Sequence, residues 1–218
     1  MPLEIERKYL DADFDRLRCA LIGAGATDQG AHFESNVIFD TPTFGIHASG
    51  RLLRLRSQEW RGRIRHVLTL KLPVVAPADS AFKAREEREL AVESAAAMGA
   101  VLEGLGFVAV ARYEKVRSVW RLDPFRPGGS GMLVELDELP FARVVELEGD
   151  AEDLDAAGRL LGLDKCEFST KSYHALHQEW RCSRGLPHER SFVFGADERS
   201  RLRARLGLPD MAAPGVCF

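Results

Sequence analysis

Alternation of apolar and charged residues at period two, repeated in about eight segments, predicts an α+β protein: an eight-stranded antiparallel β-barrel with a charged interior and helices packed outside. Two further observations support this class. Like charges recur in pairs at i,i+2 on most of the segments, and the first three helical segments each run into glycine.

The strand-like segments are Leu3 to Leu10, Val37 to Phe39, Leu52 to Arg56, Val67 to Leu72, Arg85 to Val92, Lys115 to Leu122, Met132 to Leu136 and Val144 to Glu148. Helices are expected over Asp13 to Ile22, Ser94 to Leu105, Ala151 to Leu161 and Thr170 to Trp180. Glycine after the first three is the usual helix stop, because it accepts the left-handed conformation at little steric cost. Beyond Cys182 the texture changes: a loop from Ser183 to His188, a short basic helix from Asp197 to Leu206, and a Pro/Gly-containing tail. Residues 1–182 are therefore expected to form the barrel domain and 183–218 a C-terminal extension to which the sequence assigns no role.

A chain of 218 residues, 45% hydrophobic, can bury one large core, alone or with an appendage. A net charge of −3 gives no global attraction to nucleic acid or to an anionic membrane, so any polyanion site must be built locally. The opening MPLEIERKYL lacks the apolar stretch of a signal peptide, and no run approaches the ~20 apolar residues of a membrane span; a cytoplasmic protein is expected. Cys19, Cys166, Cys182 and Cys217 are scattered without C-x-x-C spacing, which predicts free thiols.

Successive side chains of a strand face opposite sides, so residues at i, i+2 and i+4 share a face. Sorted this way, Glu4, Glu6 and Lys8 oppose Leu3 and Ile5, and Arg54 and Arg56 oppose Leu53 and Leu55. Lys71 opposes Leu70 and Leu72; Lys115 and Arg117 oppose Val116; Glu135 and Asp137 oppose Val134 and Leu136; Glu146 and Glu148 oppose Val145 and Leu147. Arg85, Glu87 and Glu89 form a further row. For any one strand the competing explanation is a solvated face over an ordinary core. Across the set, recurrent paired ions fit better the wet, charged interior of a barrel whose apolar outside is covered by helices.

Ions removed from water must be paired or must bind a ligand. The rows hold eight carboxylates (Glu4, Glu6, Glu87, Glu89, Glu135, Asp137, Glu146, Glu148) and seven cations (Lys8, Arg54, Arg56, Lys71, Arg85, Lys115, Arg117). Carboxylates alone would predict a metal cage, and cations alone an anion sink. Together they fit Mg²⁺ or Mn²⁺ bridging carboxylates to phosphate oxygens, with arginine forks gripping the phosphates.

Glu4-Ile5-Glu6-Arg7-Lys8 resembles the E-x-E-x-K motif of the CYTH family, the triphosphate tunnel metalloenzymes, which includes class IV adenylyl cyclases, thiamine triphosphatases and inorganic tripolyphosphatases. Further matches follow in family order: Phe39-Asp40-Thr41-Pro42, Leu53-Arg54-Leu55-Arg56, Thr69-Leu70-Lys71, Arg85-Glu86-Glu87-Arg88-Glu89, Lys115-Val116-Arg117, Leu136-Asp137-Glu138 and Glu146-Leu147-Glu148. The resemblance implies that Glu4, Glu6, Asp137, Glu146 and Glu148 hold metal, and that Lys8, Arg54, Arg56, Lys71 and Arg117 grip a triphosphate. Among these Glu4, Glu6, Lys8 and Lys71 are the expected catalytic set, with looser phosphate roles for Arg85 and Lys115 and looser tunnel roles for Glu87, Glu89 and Glu135. Lys171-Ser172-Tyr173 resembles the helix that closes many members, so Lys171 reaches substrate on one reading and water on the other. Ile38 stands where the thiamine triphosphatase branch carries Tyr, and Ala142-Arg143 where many relatives have a Gly-containing turn.

The resemblance thus implies a metal-dependent enzyme acting on ATP, tripolyphosphate or another organic triphosphate, with homodimerisation expected from the family. Hydrolysis is preferred because it needs no base pocket. Conversion of ATP to cyclic AMP and pyrophosphate is the alternative, and a non-catalytic triphosphate- or polyphosphate-binding module is a third. His174 and His177 share helical spacing but lack a third ligand for zinc, so both are expected on an exposed helix face. Trp60 to Arg65 is expected to be a hairpin tip beside the substrate mouth, not a nucleic-acid surface.

Overall fold

The computed structural model describes residues 3–74, 81–125 and 127–209; the expected tail and Cys217 lie outside the described residues. In chain order the elements are β1 (Leu3–Leu10), α1 (Phe14–Gly23), β2 (Thr27–Asp40), α2 (Gly45–Ala48), β3 (Leu52–Trp60), β4 (Arg63–Pro73), β5 (Lys83–Val92), α3 (Ala95–Gly104), β6 (Val108–Leu122), β7 (Met132–Glu138), β8 (Arg143–Gly149), α4 (Leu154–Leu160), β9 (Phe168–Ser169), α5 (Tyr173–Cys182) and α6 (Ala196–Arg205). The sheet order β5-β4-β3-β2-β6-β7-β8-β1 is closed by pairing of β1 with β5, so eight strands form a barrel without a free edge. The two-residue β9 pairs with β1 outside the ring, Lys8 opposite Ser169.

Register turns the charged rows into a single lining, because residues directly opposite one another in an antiparallel pair share a face. Lys8 faces Glu146, Glu6 faces Glu148, Lys71 faces Glu87, Arg54 faces Thr69 and Arg117 faces Asp137. Several strands outrun their expected limits, most of all β2 and β6. Their shared ladder has register shifts between Asp28 and Ala31 and between Ile38 and Phe39, and each bulge breaks the alternation that marks a strand in sequence. Gly30, with φ of 90°, occupies the first bulge, its N–H donating to Asp28 Oδ1.

The apolar core lies outside the barrel wall. Leu17 and Leu21 of α1 and Leu154 and Ala157 of α4 pack on Val134, Leu136, Val145 and Leu147. Leu102 of α3 covers Leu53 and Leu55. Asp13, Ser94 and Ser172 cap α1, α3 and α5 through side-chain oxygens that accept backbone N–H groups, each worth about 1 kcal/mol. Helix α4 comes close to β1: a Cβ on Gly158 would sit 2.6 Å from the Tyr9 hydroxyl.

The described part of the extension packs directly on the barrel. Phe194, Leu202 and Leu208 cover Phe33 and Val116, Arg199 meets Glu114 at 3.0 Å, and the Arg203 fork meets both Glu59 oxygens at 3.1 and 2.9 Å. Among the described residues no helix is long and apolar enough to cross a membrane.

Candidate active site

A cavity of about 370 Å³ runs into the barrel, its charged wall drawn from β1, β3, β4, β5, β6, β8 and Glu135 of β7. Lys8 of β1 is 2% exposed and bridges Glu6 Oε1 at 2.6 Å and Glu146 Oε1 at 2.9 Å. Burial alone would lower its pKa; Glu146 and Glu6 reverse that and hold it above the ordinary lysine range. Lys83 also reaches Glu6 Oε1, at 2.5 Å, and is shifted the other way, first by burial and then by Lys8. Lys71 contacts Glu4 Oε2 at 2.8 Å and also Glu87.

On the opposite wall Arg117 engages Glu135, Asp137 and Glu146. Lys115 lies 3.0 Å from Asp137 Oδ2 and 3.4 Å from Glu34 Oε2, and Arg56 reaches Glu34 Oε2 at 3.3 Å. Despite full burial, Arg56 and Lys115 hold the Glu34 carboxyl well below the usual carboxylate range. Tyr173, at the start of α5, roofs this part of the cavity: its hydroxyl donates to Asp137, and the Lys8 and Lys115 ammonium groups lie 5.3 and 5.4 Å from its ring centre.

Two wall groups make no ion pair among the described residues. Arg54 is 6% exposed, its Nε has no hydrogen-bond partner, and among the described residues no carboxylate lies within 4.0 Å of it; its remaining contacts are Tyr113 Oη and Thr69 Oγ1, both at 3.4 Å. Glu148 likewise has no ion pair among the described residues, and burial together with Glu4, Glu146 and Glu6 raises its pKa to about 7. Burial and the carboxylates Glu146 and Asp137 push Glu135 up to about 8 against the pull of Arg117. An unpaired buried guanidinium fits an incoming anion, and a proton-holding carboxylate cluster fits an incoming cation.

The sequence profile of the CYTH domain matches residues 2–172. The chain belongs to the CYTH family. No curated protein matches it. Among solved structures, it resembles a candidate adenylate cyclase of Vibrio parahaemolyticus at 19% identity and a TM-score of 0.62, covering 81% of this chain and 98% of that one. A Pyrococcus horikoshii protein matches at 19% and 0.61, over 81% and 98%. A Hippeastrum protein, described as a putative adenylyl cyclase with a dominant triphosphatase activity, matches at 21% and 0.60, over 87% and 100%. At these identities the likeness shows the fold.

Of the residues expected in the CYTH tunnel, Glu4, Glu6, Lys8, Arg54, Arg56, Lys71, Glu87, Glu89, Lys115, Arg117, Glu135, Glu146 and Glu148 line the cavity. Three do not. Asp137 is fully buried behind the wall, its oxygens taken by Lys115, Arg117 and Tyr173. Arg85 is placed opposite Glu4 by register but stays off the cavity wall. Lys171 points away, paired with Glu179 at 2.6 Å on the surface.

Other expectations are also corrected. His177 is 3% exposed, and His174 lies edge-on to Tyr113 on the cavity wall, because α5 turns this face inward under Phe192 and Phe141. Trp60 to Arg65 is a hairpin tip, Trp60 pairing with Arg63, but it does not line the cavity; Trp60 packs on His32 and under Arg63. Asp40 of the Phe39-Asp40-Thr41-Pro42 motif is structural, accepting the backbone N–H groups of Thr41, Ile46 and His47. Lys83 and Tyr113 line the cavity unanticipated, although each shares the parity of a recognised row, Lys83 with Arg85 and Glu87, Tyr113 with Lys115 and Arg117.

Among the described residues no three His, Cys, Asp or Glu groups are already set as a metal cage. Lys8, Lys71 and Lys83 occupy oxygens of Glu6 and Glu4. The donor chemistry nevertheless fits a hard divalent cation: Glu4, Glu6, Glu146 and Glu148 are close enough that their mutual repulsion raises Glu148.

Proposed function

We propose that this chain is a divalent-metal-dependent triphosphatase that holds a triphosphate group in the barrel and cleaves its terminal phosphoanhydride bond. The observation that carries this reading is Arg54, a buried guanidinium on the cavity wall with an unpartnered Nε and no carboxylate in ion-pair contact among the described residues. Such a group is stabilised by an anion seated against it, and its planar fork matches phosphate. Lys71 stands beside Arg54 on the neighbouring strand, and Arg56, Lys115, Arg117 and Lys8 add further cations to the cavity lining.

Bound Mg²⁺ or Mn²⁺, held by Glu4, Glu6, Glu146 and Glu148, would supply charge neutralisation at the phosphate oxygens. The chain's own cations orient the phosphates and offset charge as water attacks the terminal phosphorus and the remaining phosphates leave. The triphosphatase activity ascribed to the Hippeastrum protein supports hydrolysis over cyclisation.

Incubation with tripolyphosphate or ATP and either metal should release orthophosphate. Cyclic AMP with pyrophosphate would replace this assignment with that of a cyclase, and binding without turnover would leave a binding module. Arg54→Ala should lower kcat/KM by about 10²–10³, the usual cost of one charge-stabilising donor. Glu4→Gln with Glu6→Gln should abolish turnover without unfolding the barrel.

A further inference from the structure

Tyr113 of β6 is 6% exposed and stands on the charged cavity wall, where its hydroxyl oxygen accepts from Arg54 Nη1 at 3.4 Å. Among the described residues nothing accepts the proton of that hydroxyl in turn. Tyr173, the other phenol on this wall, shows the contrast: its hydroxyl donates to Asp137. Leaving a buried donor without an acceptor is costly, and the cations around Tyr113 supply none, because Arg54, Arg56 and Lys115 are themselves donors. The remaining titratable neighbour, His174, has its pKa lowered to about 4 by burial and is neutral near pH 7.

The Tyr113 ring is clamped from two sides. Phe192 of the extension stacks on it at 5.1 Å and 29°. His174, which separates the charged cavity from a second one of about 360 Å³, meets it edge-on at 5.3 Å. Phe192 is strapped to β6 around Tyr113: its N–H donates to the Arg112 carbonyl at 2.9 Å, and its own carbonyl accepts from Glu114 N–H at 3.0 Å. Ser191 Oγ accepts from Arg112 N–H, also at 3.0 Å. This edge of β6 is open to the extension because β7 pairs with β6 only from Val116 onward. Ser191 and Phe192 lie beyond the matched CYTH region, residues 2–172.

We infer that the Tyr113 hydroxyl donates to an oxygen of the triphosphate seated against Arg54, and that Phe192 is a positioning residue that holds the phenol there. Resting on the triphosphate reading of the barrel, this assignment makes part of the extension a support of the site. A phosphate oxygen is the acceptor the phenol lacks, and a phosphate on Arg54 comes within its reach because the two side chains touch. Burial alone would raise the Tyr113 pKa; Arg54, Arg56 and Lys115 reverse that and hold it below the ordinary tyrosine value. A bound phosphate offsets those cations and accepts from the neutral phenol, so binding moves the ionisation of Tyr113 to higher pH.

The test measures calorimetric affinity for tripolyphosphate in a metal chelator, in the full chain and in Tyr113→Phe, which keeps the stacked ring. The variant should bind about 10- to 100-fold more weakly, the usual effect of a hydrogen bond to a charged group, with an unchanged melting temperature in the absence of ligand. The tyrosinate absorbance step missing from Tyr113→Phe should move to higher pH in the parent protein when tripolyphosphate is added. Phe192→Ala should weaken binding about tenfold in the parent and about twofold or less in Tyr113→Phe, because the two residues act through one contact. A merely structural Phe192 would give the same factor in both backgrounds, and that result removes it from the positioning role. Equal affinities of parent and Tyr113→Phe, or a tyrosinate step unmoved by tripolyphosphate, overturn the phosphate contact while the triphosphate reading stands. A parent protein that binds no tripolyphosphate, with or without metal, overturns that reading and this inference with it.

Discussion

Three side chains show how burial assigns roles that residue type alone leaves open. Glu148 and Asp137 are both acidic residues of inward rows, yet Glu148 has no ion pair among the described residues while Asp137 is bonded by two cations and a phenol. The folded pKa of Glu148, about 7, lies above its unfolded value, so the fold binds more protons there and loses stability as pH rises through that interval. Glu148→Gln should therefore melt at a higher temperature than the parent protein at pH 8 in a metal chelator, with the gap closing towards pH 4.5. Thermal scans at both pH values check this, and an equal gap at each would contradict it. Asp137→Ala should cost about 1–3 kcal/mol by urea titration, because it removes a buried acceptor shared by Arg117, Lys115 and Tyr173, leaving Arg117 to Glu135 and Glu146 and Lys115 to Glu34. Asp137→Asn should cost less, since the amide oxygen still accepts a hydrogen bond.

Among the elements, most strands were recognisable where alternation was unbroken, as in β1, β7 and β8. Alternation failed at the bulged ends of β2 and β6. Glu34 lies in the regular stretch between the bulges and was missed because polar Ser35 follows it on the other face, although Glu34 pairs with the tunnel cations Arg56 and Lys115. Turns carry constraints that periodicity does not contain. Gly131 precedes β7 at φ 76°, and a Cβ there would lie 2.7 Å from the Leu122 carbonyl oxygen. Gly131→Ala should lose at least about 1–2 kcal/mol in chemical denaturation, from the left-handed conformation alone. The turn between β7 and β8 needs no glycine: Ala142 simply accepts from Leu139 N–H at 2.9 Å. Removing residues 183–218 should expose Phe33 and Val116 and strand Glu114, lowering the melting temperature and raising binding of a hydrophobic dye.

For the whole molecule, seven carboxylates and seven cations line the cavity. With Glu148 at about 7 and Glu135 at about 8, cations outnumber anions near neutral pH, a field that favours a polyanion. Tripolyphosphate should accordingly raise the melting temperature without metal more at pH 6 than at pH 9, where both groups are ionised. A shift that grows with pH in chelator would contradict this charge balance.

The sequence by itself determined which face of each strand a side chain occupies, because that depends only on local backbone geometry. It thereby disclosed the charged lining and most of its members, from Glu4 to Glu148. Only the tertiary structure decided how those faces meet: the pairing of β1 with β5 that closes the barrel, the sealing of Asp137 behind Tyr173, and the outward turn of Lys171. It also set His174 between two cavities and folded the extension onto the wall. These depend on contacts between residues far apart in the chain, which a short-range period does not encode.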